Sequence, residues 1–83
     1  MELEIGDDLK MTMEERGLRE EDVKKVIQEA ESSGDKLYQP DTPHCLAKLK
    51  IEESWVFVEY SAMGDDKYRV NRAYSMKTEF GEE

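Results

Sequence analysis

A chain of 83 residues, 37% hydrophobic and 40% charged, has room for one domain with a single two-layer core, which excludes a large multi-element enzyme. Seven aromatics can anchor that core, at the polar edge of globular composition and with modest stability expected. Twelve Lys and Arg against 21 Asp and Glu leave a net charge of −9, a field that repels phosphate backbones and anionic membranes.

In chain order, Gly6-Asp7-Asp8 followed by Leu9, Met13 and Arg16, with Gly17 just beyond, predicts a short helix: an Asp cap, apolar side chains four apart and a glycine stop. The spacing of Val23, Val26, Ile27 and Ala30 predicts a second helix over about 20–32 with one apolar stripe. Glu20, Glu21 and Asp22 suit the positive end of its dipole. With Arg19 at the cap, Leu18 and Val23 are placed as a hydrophobic staple, and Ser32-Ser33-Gly34 ends the helix.

After Gly34 the period changes to two. Residues 36–39 predict a short strand, Pro40-Asp41-Thr42-Pro43 a turn, and residues 44–51 the next strand. Glu52-Glu53 leads into residues 54–60, the most strand-like run, and Gly64-Asp65-Asp66 turns into a last strand over 67–76. The expected fold is a single α+β domain, with a helical part over 1–34 packed on a three- to four-stranded antiparallel sheet over 35–76. A frayed tail is expected over 77–83.

A two-residue loop at Glu52-Glu53 would pair Ile51 with Ser54, Leu49 with Val56, Ala47 with Val58 and Cys45 with Tyr60, a face that suits the second helix. The opposite face then carries Lys50 beside Trp55, Lys48 beside Phe57 and Leu46 beside Glu59. Setting Tyr68 against Tyr60 brings Val70 to Val58, Arg69 to Glu59 and Asn71 to Phe57. Trp55, Phe57, Lys48, Lys50 and Arg69 are therefore the candidate binding residues, rings flanked by cations. The competing expectation is that the first helix, through Leu9, Met11 and Met13, or a second copy of the chain, covers the rings.

Catalytic readings fail on residue supply. His44 and Cys45 are strand neighbours on opposite faces and cannot act as a dyad, and one His with one Cys cannot build an ordinary four-ligand zinc site unless carboxylates such as Asp41 join. The carboxylates fall mainly on helix faces and turns among Lys and Arg, where solvated charge is the default. Tyr74 and Arg72 read as core edge. No catalytic residue, metal or cofactor is assigned.

The lone Cys45 precludes an internal disulfide and suits a reducing compartment, and no apolar run predicts a leader or a membrane span, so a cytoplasmic location is expected. Residues 1–35 carry a balance of −7, which would steer a basic protein partner toward the helices.

Met11-Thr12-Met13-Glu14-Glu15-Arg16-Gly17-Leu18, with Glu21-Asp22-Val23 and Val26-Ile27, resembles the "RMxERGIxxEDVxxVI" opening of a set of small bacterial domains. Residues 56–60, Tyr68-Arg69-Val70 and Ala73-Tyr74 look like that set's final strands. The layout is similar to RelE and BrnT type toxins, and the resemblance implies helices before an antiparallel sheet and RNA cleavage by basic and aromatic residues on that sheet. Such toxins are strongly basic, and here only Lys48, Lys50, Arg69 and Arg72 could stand in for their cations. The expectation is thus a small non-enzymatic interaction or accessory domain that binds a protein or itself, with a toxin-like ribonuclease as the alternative and no nucleic-acid or membrane partner.

Overall fold

A computed structural model describes residues 1–77. Strand β1 (Glu2–Ile5) leads into helices α1 (Asp7–Glu15) and α2 (Glu20–Ser33), and strands β2 (Leu37–Tyr38), β3 (His44–Ile51), β4 (Ser54–Gly64) and β5 (Lys67–Lys77) follow. The described strands form one five-stranded mixed sheet in the order β1-β5-β4-β3-β2. This corrects the expectation of three or four antiparallel strands. Glu2-Leu3-Glu4-Ile5 lies parallel to β5, with Glu2 opposite Lys67 and Glu4 opposite Arg69, so charge alternates with apolar side chains at the two-residue period of a strand. The 36–39 segment shortens to Leu37–Tyr38, and all of the expected tail beyond Lys77 lies outside the described residues.

Both helices pack on one side of the sheet. In α2, Val23, Val26, Ile27 and Ala30 are buried against Cys45, Ala47, Val56, Val58, Tyr60, Val70 and Ala73. Met13 from α1 and Leu18 from the turn enter the same cluster, with Leu9, Leu3 and Ile5 at its margin. The Arg19 N–H donates to Asp22 Oδ2 at 3.3 Å, which occupies one orphan donor at the start of α2. Gly34 ends α2 at φ 78°, a left-handed position that glycine adopts without a Cβ penalty. In α1, Gly6 rather than an aspartate takes the cap, and Asp7 and Asp8 lie within the first turn.

The β3–β4 pairing follows the expected register throughout, from Ile51 opposite Ser54 to Cys45 opposite Tyr60. The β4–β5 pairing does not. Tyr60 faces Val70 and Glu59 faces Arg72, which leaves Asn71 as an extra residue in a β-bulge. Its amide reaches the Ser61 hydroxyl at 3.5 Å. Below the bulge the parity of β5 is inverted, so Arg72, Tyr74 and Met76 lie opposite Glu59, Phe57 and Trp55.

Candidate functional site

The side of the sheet away from the helices holds the candidate residues. Strand parity places Lys48 and Lys50 of β3, Trp55, Phe57 and Glu59 of β4, and Arg72, Tyr74 and Met76 of β5 on this face. Phe57 and Tyr74 stack with ring centroids 5.0 Å apart and planes 12° from parallel. The Lys48 ammonium lies 5.4 Å from the centre of the Trp55 ring. The rings are half-buried by these neighbours and lie outside the helix-side core.

Helix α1 does not cover them. Leu9 and Met13 point into the core with α2, and Met11 is 61% exposed. The expectation that Leu9, Met11 and Met13 would lie over Trp55 and Phe57 is therefore corrected: one amphipathic helix of nine residues satisfies its apolar side against β5 on the α2 side.

Two carboxylates on the helix-free face have side-chain partners. The His44 Nδ1 lies 2.9 Å from Glu59 Oε2, and Arg69 Nε lies 2.6 Å from Glu4 Oε1. The Arg69 hydrogen bond and charge hold the Glu4 carboxyl below its ordinary value. Arg69 is thus removed from the ring cluster: it faces Ser61 and pairs with β1 rather than standing beside Glu59. Its expected place is taken by Arg72. Asn71, expected beside Phe57, sits in the bulge, and Tyr74 stacks on that ring instead. Among the described residues, Lys50 and Arg72 make no ion pair, so with Lys48 they form a small cationic island on an acidic molecule.

Sequence reasoning missed Tyr74 and Arg72 because it had no signal for the bulge that inverts their parity. Trp55, Phe57, Lys48 and Lys50 do come together as expected. His44 and Cys45 point to opposite sides, with Cys45 buried in the core and its thiol pushed up by burial. Among the described residues, no three His, Cys, Asp or Glu side chains cluster to hold a metal ion, and no helix is long and apolar enough to cross a membrane.

A second polar cluster braces the helix side. Tyr60 is fully buried, and its hydroxyl donates to Glu31 Oε2 at 2.7 Å, while Lys36 Nζ reaches the same oxygen at 2.5 Å. Burial pushes the Glu31 carboxyl up, but the hydrogen bonds from Lys36 and Tyr60 outweigh it and hold the group below its ordinary value. This cluster ties α2 to the sheet.

Compared with family models, with curated proteins and with solved structures, the chain has no match in any of the three.

Proposed function

We propose that this chain is a non-enzymatic protein-binding module that meets its partner with the helix-free sheet face. Trp55 and Phe57 act as anchors, Tyr74 extends the aromatic strip, and Lys48, Lys50 and Arg72 orient the encounter. One observation carries the reading: both helices spend their apolar sides on the opposite face, so no described element covers these rings. Aromatic side chains that combine a broad contact area with few rotatable bonds are the residue types that dominate binding energy at interfaces. Face-to-face self-association would set Lys48, Lys50 and Arg72 against their own copies, which favours a different protein as the partner.

The double variant Trp55→Ala, Phe57→Ala tests this. It should remain folded, lose the partner that the native chain retains in affinity capture, and leave capture by a Tyr38→Ala control unchanged. In the dilute native monomer, Trp55 should emit at long wavelength and be quenched by iodide. Blue-shifted, unquenched emission together with an unfolded double variant would make the rings core and remove the binding face.

A further inference from the structure

Strand β3 has eight residues, but its outer neighbour β2 has two, which pair only with Leu46 and Cys45. The Gln39 N–H donates to the His44 carbonyl at 3.1 Å, so the even-numbered residues of β3 aim their backbone groups outward. The same parity directs the N–H and C=O of Lys48 and Lys50 away from β4 and past the end of β2. No described strand pairs with them there. This is an open sheet edge of the kind that accepts a further strand.

We infer that this edge takes an extended acidic segment of the partner protein, laid along β3 in line with β2, with carboxylates at the two alternate positions opposite Lys48 and Lys50. The inference deepens the reading above and rests on it for the existence of a protein partner. Charge complementarity selects the occupant. Both lysines are exposed on the helix-free side, and at physiological salt a Debye length of about 8 Å makes these local cations count more than the distant acidic helices.

A second copy of β3 would bring lysine against lysine, a device by which edge strands resist self-pairing. A strand with Asp or Glu at those positions converts the same repulsion into two cross-strand ion pairs. Between them, the partner residue opposite Leu49 points to the helix side. There Leu49 and Ile51 are half-buried at the margin of the core, so an apolar side chain fits. The segment therefore reads acidic-apolar-acidic over three residues. Nucleic acid is disfavoured because Phe57 and Tyr74 already stack on each other and the Lys48 cation already lies over Trp55, which leaves less ring surface for bases.

The probe is an end-blocked seven-residue peptide of alternating glutamate and valine, titrated into the native chain and followed by Trp55 emission, since Lys48 lies over that ring. Binding should slow hydrogen exchange at the Lys50 N–H and weaken as salt rises. A peptide of the same composition with its glutamates grouped should bind about tenfold more weakly.

Lys48→Pro removes one outward N–H without touching the β4 ladder, and should reduce affinity at least about tenfold. Should that variant fail to fold, Lys48→Glu with Lys50→Glu gives the same test by charge: it should reject the glutamate peptide and accept one of alternating lysine and valine. Because Trp55→Ala removes the reporter, the ring double variant is followed by the Lys50 exchange signal and should retain the peptide within about twofold. Loss of partner capture in that variant then reports on the ring face alone. No binding at millimolar peptide, equal binding of the grouped peptide, or full affinity in folded Lys48→Pro overturns the edge proposal and leaves the ring-face reading standing.

Discussion

Phe57 and Tyr74 stack across β4 and β5 at 5.0 Å and 12°, on the side of the sheet that carries no helix. The contact exists because the bulge at Asn71 turns Tyr74 to the same side as Phe57. Stacked pairs contribute about 0.5–1.5 kcal/mol beyond the area they bury. A double-mutant cycle of Phe57→Ala and Tyr74→Ala, read by urea unfolding, should return a coupling energy in that range. Zero coupling would mean that the rings do not stack in solution.

The helix-side core should respond far more strongly. Val26 and Ile27 are fully excluded from solvent between α2 and the sheet. A carboxylate at either position would be buried without a partner, at a cost comparable to the whole stability of a domain this small. Val26→Asp and Ile27→Asp should each be unfolded by circular dichroism at 25 °C. A native melting curve for both would place the α2 stripe in solvent.

The contrast between β3–β4 and β4–β5 shows what the residues alone reveal. With Glu52-Glu53 as a two-residue loop, rather than a loop of three or five residues that would reverse the parity, the residues alone set Lys48 beside Phe57 and Lys50 beside Trp55, and the strands pair in that register. The Asp65–Asp66 turn and the irregularity before Gly64 move β5 by two residues, which preserves the faces of Tyr68, Arg69 and Val70. Asn71 then inverts the rest, and nothing in Val70-Asn71-Arg72 marks a bulge in the way a glycine would. Strand β1 was missed for a different reason. Glu2-Leu3-Glu4-Ile5 does alternate, but four residues gain stability as a strand only when β5 is alongside, a contact 65 residues away in the Glu4–Arg69 pair. The side chosen by α1 was equally invisible, because Leu9 and Met13 would suit either face of the sheet.

Backbone strain at the β3–β4 turn offers a stabilising change. Glu52 holds φ at 59°, in the left-handed region where a side chain costs about 1 kcal/mol relative to glycine. Glu52→Gly should raise stability by about 0.5 kcal/mol, the strain relieved less the entropy that glycine adds to the unfolded chain. Glu53→Gly, at a position without positive φ, should not stabilise. Thermal melts of the two variants separate them, and a loss of stability in Glu52→Gly would show that the side chain makes a contact worth more than the strain.

The buried phenol of Tyr60 should make stability fall at alkaline pH. Burial first, and then the hydrogen bond to Glu31, push its pKa far above the ordinary tyrosine value. The folded chain therefore keeps the proton while the unfolded chain releases it above about pH 10, so the contribution is complete below that pH and lost as pH rises further. One proton released on unfolding corresponds to about 1.4 kcal/mol per pH unit. Tyr60→Phe should cost about 1 kcal/mol at pH 8, where it deletes the bond to Glu31. Above pH 10 it should lose stability less steeply than the native chain by about that slope. Lys36, whose pKa is raised chiefly by its hydrogen bond to Glu31, and Tyr68 and Cys45, raised chiefly by burial, drive stability in the same direction but are present in both proteins, so the difference reports chiefly on Tyr60. Urea unfolding of the pair between pH 8 and 11 reads the effect, and parallel curves would mean that the Tyr60 hydroxyl is open to water.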